Sequence, residues 1–332
     1  MEHFENILLV TDGKTRGEAA LKRASTLAKN NQAQLTVVEV VEKLPRDLKR
    51  INTPTSIADM QKLIIRDRLK HLENIIAPIK DEGVRVTAKL LIGTPFLEII
   101  REVLRNNHDL VIITAECKGG LKEMLFGTTT MHLMRKCPCP VWAIKPAKHK
   151  RFSRILAAVD KYPSGDERNA LNDRIMELAS SLARSENSEL HIIHTWSVYG
   201  ERSLRTRGGM QENELYKLLH EIRNGHKVWL DELVKKYTPN IPKKQVYLLK
   251  GEAGALIPSL AEKKRIELIV IGTVSRTGID GLLIGNTAER VLQQVDCSVL
   301  AIKPDGFVSP VKLLSASDIV KLMAEVSPVK VD

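Results

Sequence analysis

The chain alternates short, continuously apolar runs with longer segments in which apolar residues recur every three or four positions. Ile7–Thr11 and Ile155–Val159 are runs of the first kind, and Leu35–Val41 is a further β-type run. Continuous apolar runs are typical of parallel strands that are buried on both faces, whereas the longer period is typical of amphipathic helices. Their alternation predicts an α/β protein in which helices cover both faces of a parallel sheet.

Helical periodicity marks corresponding segments in both halves of the chain. Two longer helices are predicted, one capped by Ser56 and extending to about Ile79, and one from about Glu212 to Tyr237. Each half also contains a shorter helical segment near its start. The apolar positions of these two segments are Ala20, Leu21, Ala24, Leu27 and Ala28 in the first half, and Ile175, Leu178, Ala179, Leu182 and Ala183 in the second. Those of the first long helix are Leu63, Ile64, Leu69, Leu72, Ile75 and Ile76.

The second half of the chain repeats the first. Beyond the long helices, matching segments are separated by a constant 158 residues. The matches pair Gly93-Thr94-Pro95 with Gly251-Glu252-Ala253, Leu110–Ile113 with Leu268–Ile271, and Cys139 with Cys297. Several anchors at one spacing indicate an internal duplication. Each unit is predicted to be β-α-β-α-β-α-β-α-β, a five-stranded parallel sheet, and seven extra residues fall around Tyr162–Glu167 in the second unit.

The duplication sets the expected domain boundaries. The first domain is predicted over residues 4–146, a basic linker over 147–153, the second domain over 154–304 and a C-terminal tail over 305–332. Ser317 is a candidate cap for a tail helix. The apolar stripe of this helix would be Ile319, Val320, Leu322, Met323 and Val326. It would pack on its own domain or on a partner.

The segment Ile271–Ala288 has the composition of a ligand-binding loop. Gly272 follows a buried strand, and Gly285-Asn286-Thr287 opens the next helix. Glycines let a backbone approach a ligand closely, and the free N–H groups of a helix N-terminus favour an anion. Asp12 and Asp160 end the first strands of the two units. Because ligands of parallel sheets bind beyond the carboxyl ends of the strands, these residues are expected at the ligand-binding edge of their own unit.

The order Gly272, Ser275, nine residues and then Gly285-Asn286 resembles the nucleotide loop Gly-x2-Gly-x9-Gly-Ser/Thr of universal stress proteins. Ser275 and Asn286 depart from that pattern, and Thr287 follows directly. The stretches LIGNTAER, VLAIKPD and HLMRKCPCPVWAIK extend the resemblance to tandem-domain members of the E type, over about residues 4–307.

This resemblance implies a fold and a set of site residues. Each unit would be Rossmann-like, of the adenine nucleotide alpha hydrolase-like type, and the units would form an intramolecular pseudo-dimer through Val141–Ile144 and Val299–Ile302. The implied ligand of the second unit is ATP with magnesium. Asp160 would contact the base or ribose, Gly272, Ser275 and Gly285 would form the loop, and Asn286 and Thr287 would contact phosphate or ribose hydroxyls.

The first unit departs further from the family loop. Thr114 and Cys117 replace both early glycines, whereas Asp12, Gly127 and Thr128 are retained. A Cβ at the replaced positions would intrude on phosphate space. The first unit is therefore expected to be a degenerate partner domain, or to bind a ligand other than ATP.

The sequence is compatible with several functions. The chain contains no P-loop, HExxH or Gly-x-Ser-x-Gly motif. The leading hypothesis, implied by the resemblance, is a non-catalytic protein that supports resistance to stress, including DNA-damaging agents, through ligand or partner binding. The first alternative is an ATP-dependent switch or slow ATPase that uses the second-unit loop. The second is a binder of an anionic lipid or metabolite in the first-unit cleft, near the basic segment Lys43–Arg50.

The composition of the chain bears on whether nucleic acid or a membrane is a partner. The 332 residues carry a net charge of +11, but the positive residues are dispersed and aromatic residues are only 4%, so no nucleic-acid partner is expected. No apolar run is long enough for a membrane span, and a cytoplasmic protein is expected.

The four cysteines are expected to be free thiols, with Cys139 and Cys297 near the starts of equivalent strands. His191 and His194 should point to opposite faces of a strand, so no metal site is expected. Protein partners and homodimer formation stay open.

Overall fold

The computed structural model describes residues 4–12, 17–42, 57–115, 126–145, 151–163, 165–166, 168–201, 203, 211–273 and 285–313. The elements of the first unit are β1 (Asn6–Thr11), α1 (Glu18–Asn31), β2 (Gln34–Val41), α2 (Ile57–Asp81), β3 (Val86–Ile92), α3 (Pro95–Asn106), β4 (Leu110–Thr114), α4 (Thr128–Lys136) and β5 (Val141–Ile144). Those of the second are β6 (Arg154–Val159), α5 (Arg168–Glu186), β7 (Glu189–Trp196), α6 (Glu212–Tyr237), β8 (Val246–Lys250), α7 (Ala253–Lys264), β9 (Leu268–Gly272), α8 (Asn286–Leu292) and β10 (Ser298–Ile302).

Local signals account for the helix ends. A capping box between Gln211 and Glu214 starts α6, whose bounds are those predicted. Pro95 stands in the first turn of α3, where its missing N–H has no helical partner to lose. The same helix ends at Asn107, which adopts a left-handed conformation with φ 53°. The caps predicted at Ser56 and Ser317, and the whole tail helix, lie outside the described residues.

The apolar face predicted for α2 is only partly right. Leu72 and Ile76 are fully buried, but Leu63 is 68% exposed and Leu69 is 40% exposed. With 25 residues, α2 is about 37 Å long at 1.5 Å per residue. The eight residues of its neighbour β2 span only about 26 Å. The N-terminal half of the helix therefore extends beyond the sheet that its C-terminal half covers.

All ten strands form one sheet in the order β3-β2-β1-β4-β5-β10-β9-β6-β7-β8. Strands within each unit are parallel, and the two units join where β5 pairs antiparallel with β10. In this pairing Trp142 lies opposite Leu300. The predicted fold and the predicted pairing of the units through their last strands are confirmed. The pairing removes two strand edges that would otherwise be open to another chain.

The core consists of two apolar layers, one on each face of the sheet, and both run across the two units. Helices α1, α2, α5 and α6 cover one face, and α3, α4, α7 and α8 cover the other. Polar contacts also cross between the units. The Lys145 ammonium group donates to the carbonyl of Val295 at 2.6 Å, and Arg135 forms an ion pair with Glu289. The two units therefore share their core.

The free cysteines Cys137, Cys139 and Cys297 are buried. Cys139 precedes β5 and Cys297 precedes β10, which confirms their predicted placement at equivalent strands. Burial raises the pKa of the Cys297 thiol to about 12. Among the described residues, no helix combines the length and apolar character that crossing a membrane requires.

Candidate functional site

A cavity of about 300 Å³ lies at the carboxyl ends of β6 and β9. Five residues predicted for the second-unit site line it: Asp160, Gly272, Gly285, Asn286 and Thr287. They come from three segments that are far apart in the sequence, and the parallel strand order brings them together. The sixth, Ser275, lies outside the described residues.

Asn172 on α5 fixes the backbone of Asp160. The Asp160 N–H donates to Asn172 Oδ1 at 3.0 Å, and Asn172 Nδ2 donates to the Asp160 carbonyl at 2.7 Å. The Asn172 side chain thereby satisfies both backbone polar groups of the residue that ends β6. Asn172 was missed by the sequence analysis, although a signal exists, because it is a polar residue between the buried Leu171 and Ile175 of α5.

Packing against α5 requires a glycine at position 272. A Cβ built on Gly272 would lie 2.6 Å from Cδ2 of Leu171, a side chain that is only 3% exposed. In the first unit the larger residue is at the strand end and the glycine is on the facing helix turn. Thr114 stands at the end of β4, and a Cβ on the facing Gly17 would lie 3.8 Å from Thr114 Oγ1. The loss of this glycine in the first unit is therefore accompanied by a small residue on the facing helix turn.

The walls of the cavity combine apolar side chains with polar groups, and the two contribute about equally to its surface. The apolar lining consists of Ala158, Val159, Leu171, Ile175, Ile193, Ala253, Ile257, Ile271 and Ala288. The polar side chains are those of Asp160, Tyr162, Asn172, Thr195, Asn286 and Thr287. No lysine or arginine is among the lining residues that the structure describes. Such a lining suits a small organic ligand with a planar apolar part and a few hydrogen-bonding groups.

One of the three residues predicted for the first-unit site, Thr128, lines a cavity between the units. This second cavity has a volume of about 270 Å³, and its described lining does not include Asp12 or Gly127. This cavity lies between the units, because Leu292 and Gln293 of the second unit complete it. The replaced loop position Cys117 and the basic segment Lys43–Arg50 lie outside the described residues.

The two histidines of β7 contact different helices and strands, as their alternation predicts. His194 Nε2 lies 2.7 Å from Nδ1 of His226 on α6, and burial lowers the pKa of His194 to about 4. His191 Nδ1 lies 3.1 Å from the hydroxyl of Tyr247 on β8. In the part of the chain that the structure describes, no three metal-ligating side chains come together.

Comparison with known proteins identifies the fold family. The model of the Universal stress protein family matches residues 3–145 and again residues 151–303. The chain belongs to the universal stress protein family. Its two matched segments bear out the tandem arrangement inferred from the internal repeat, and family membership supports a role in the stress response.

Relatives within this family match over almost the full length. Universal stress protein E of Salmonella typhi is 29% identical over 320 residues, which cover 96% of this chain and 100% of the relative. The protein of that name from Escherichia coli strain K12 matches with the same identity and coverage. The predicted resemblance to the E type is confirmed.

Two solved structures share the fold. A functionally unknown protein from Pseudomonas aeruginosa PAO1 superposes with a TM-score of 0.69 at 24% identity, covering 97% of this chain and 98% of that chain. A universal stress protein from Archaeoglobus fulgidus gives a TM-score of 0.57 at 18% identity, covering 92% of this chain and 100% of the other. At these identities the likeness concerns the fold alone.

Proposed function

We propose that this protein is a non-catalytic stress-response protein whose second unit, residues 154–304, binds an adenine nucleotide. One observation carries the proposal: Asp160, Gly272 and the segment Gly285–Thr287 line one cavity. A loop that only connected β9 to α8 would not require an aspartate at the end of β6. Membership of the universal stress protein family supports a role in the stress response.

The lining residues fit the parts of ATP. The apolar walls would receive the base, and the Asp160 carboxylate would accept hydrogen bonds from ribose hydroxyls. The Asn286 amide and the Thr287 hydroxyl can donate to phosphate oxygens. Magnesium would enter with the phosphates of the nucleotide, since it is commonly held by one or two carboxylates together with phosphate oxygens.

The first unit, residues 4–146, would serve as a partner domain that does not bind ATP. Thr114 adds a side chain where the second unit has Gly272, and Cys117 replaces the second early glycine of the family loop. Nucleotide binding in the second unit would regulate protein partners and support survival under stress, including damage to DNA.

Matched variants of the two units provide the test. ATP is titrated calorimetrically into the full chain, and Gly285→Val is compared with Gly127→Val at the equivalent position. Saturable binding that weakens at least tenfold in Gly285→Val and stays unchanged in Gly127→Val supports the proposal. Absence of saturable binding in the unmodified chain, or equal loss in both variants, contradicts it. Asp160→Ala against Asp12→Ala repeats the comparison at the strand ends.

Two further measurements distinguish a slow ATPase from a non-catalytic binder and test the role in DNA damage. Release of phosphate from bound ATP, abolished in Gly285→Val, would identify a slow ATPase in place of a non-catalytic binder. Survival of a deletion strain after ultraviolet or mitomycin treatment, complemented by the unmodified gene and by Gly285→Val, tests the role in DNA damage. Full complementation by a variant that no longer binds nucleotide would separate stress resistance from the cavity.

A further inference from the structure

The turn between β6 and α5 of the second unit belongs to a segment seven residues longer than its counterpart in the first unit, and it contributes a residue to the lining of the cavity. Hydrogen bonds within the turn define its shape: the Asp166 N–H donates to the Pro163 carbonyl at 3.1 Å, and Asn169 Nδ2 donates to the same carbonyl at 2.9 Å. The turn carries Tyr162, whose side chain lines the cavity next to Asp160.

Arg168 and Asp166 hold the Tyr162 ring. The guanidinium carbon of Arg168 lies 4.4 Å from the centre of that ring, at cation–π distance. Asp166 binds the same guanidinium through both carboxylate oxygens, at 2.9 Å from Nε and 2.6 Å from Nη2. The planar, bidentate pair restricts the guanidinium to one orientation. Consistent with this pairing, hydrogen bonds from Arg168 lower the pKa of the Asp166 carboxyl to about 2.

The sequence of the first unit offers no counterpart of Tyr162 in this connection. Its segment from Asp12 to Gly17 reads DGKTRG and contains no aromatic residue. The aromatic residue after the first strand is therefore specific to the sequence of the unit that keeps Gly272. A nucleobase has an aromatic face, and stacking on a protein aromatic ring is a recognition mode that tolerates any base while favouring larger ones.

We propose that Tyr162 is the base-stacking wall of the second-unit cavity and that Arg168 and Asp166 are positioning residues that hold its ring. This inference rests on the proposed nucleotide binding and adds the ligand class: a nucleotide whose purine base stacks on the tyrosine. The seven extra residues of the second unit would thus supply the stacking residue Tyr162, and the shorter first-unit segment DGKTRG contains no aromatic residue.

The test uses the full chain and a series of substitutions at one position. ATP affinity is measured by calorimetry for Tyr162→Phe, Tyr162→Leu and Tyr162→Ala, with the exposed Tyr199→Ala as a control outside the cavity. Stacking predicts that Phe and the control bind as the unmodified chain does, that Leu binds more weakly, and that Ala loses at least about fivefold. Urea unfolding of each variant checks that the fold is intact.

The positioning residues are tested through selectivity, because a general distortion would weaken all nucleotides alike. Arg168→Gln and Asp166→Asn are expected to lower the ratio of ATP to UTP affinity, since the purine presents the larger stacking surface. Arg168→Lys should not restore that ratio, because it lacks the planar guanidinium group.

The outcomes separate the two levels of the argument. ATP binding that is unchanged in Tyr162→Ala, or as strong in Tyr162→Leu as in the unmodified chain, overturns the stacking role and leaves nucleotide binding in place. Equal loss of ATP and UTP affinity in Arg168→Gln overturns the positioning role. Absence of saturable binding in the unmodified chain overturns the proposed function and this inference together.

Discussion

The contact between Gly272 and Leu171 allows a quantitative test of how the floor of the cavity is packed. In Gly272→Ala the new methyl carbon would lie 2.6 Å from Leu171 Cδ2 and 3.2 Å from Leu171 Cγ. Ordinary contact between carbon atoms is about 3.5 to 4.0 Å. Because Leu171 is buried, it has to move into the cavity or push α5 away from β9. Overpacking of this kind costs about 1–3 kcal/mol.

A double-mutant cycle isolates this contact from other effects. Leu171→Ala alone removes a buried side chain and is expected to cost about 2–5 kcal/mol. In the Leu171→Ala background, however, the methyl group of Gly272→Ala has room. The second substitution should then cost close to nothing, and the coupling energy should be stabilising by about 1–3 kcal/mol.

The assay is urea unfolding followed by circular dichroism on the unmodified chain, both single variants and the double variant. Unfolding free energies that add within about 0.5 kcal/mol would refute the reasoning, because they would mean that the methyl group does not meet Leu171. ATP affinity measured on the same four proteins asks a second question. If Leu171 moves into the cavity, Gly272→Ala binds more weakly, and Leu171→Ala restores the affinity in the double variant.

Three further predictions concern buried polar groups. Burial raises the pKa of the Glu102 carboxyl, but interactions with His108 and Lys89 outweigh it and lower the pKa to about 2. Since an unfolded glutamate titrates near 4.3, ionised Glu102 stabilises the fold above about pH 4.3, and this contribution is lost as the pH falls towards 2. Glu102→Gln should therefore flatten the unfolding free energy against pH in that window, and an unchanged slope would count against it. Burial lowers the pKa of His194 to about 4, so below about pH 6.5 the unfolded chain binds a proton that the folded chain does not. Stability should fall from pH 6.5 towards 4, less steeply in His194→Leu; an equally steep fall in the variant would assign the effect to other groups. Asn172→Ala removes two hydrogen bonds to the strand end after β6 and should cost about 1–3 kcal/mol in urea unfolding, whereas a cost near zero would show that water replaces the amide.

Much of the fold follows from local patterns in the sequence. Apolar and β-type runs placed the inner strands that were named in advance, the family resemblance placed the last strand of each unit, and helical periodicity placed α6 from Glu212 to Tyr237. The exposure of Leu63 and Leu69 shows where this reasoning failed. Periodicity indicates which positions share a face of a helix, but it does not show how far the neighbouring sheet extends beneath that face.

The candidate site was predictable in outline and not in detail. Glycine spacing and the strand-end aspartate selected Asp160 and the segment Gly285–Thr287, because parallel topology brings strand ends to one edge. The same reasoning grouped Asp12 with Gly127 and Thr128, and this first-unit site stays a prediction, because the residues that border it, 13–16 and 116–125, lie outside the described part of the chain. The Asn172 contacts went unnoticed, since nothing in the spacing of an amide along a helix specifies which backbone groups it meets.

The sequence by itself determined the elements, their duplication and the edge of the sheet at which a ligand would bind. These properties depend on the burial pattern along the chain and on the handedness of strand connections. Only the tertiary structure decided which side chains touch at that edge: Leu171 against Gly272, Asn172 on Asp160 and Arg168 on Tyr162. Such contacts are made or lost when α5 shifts by roughly a few tenths of an ångström relative to the strand ends, and the packing of the whole core sets this position.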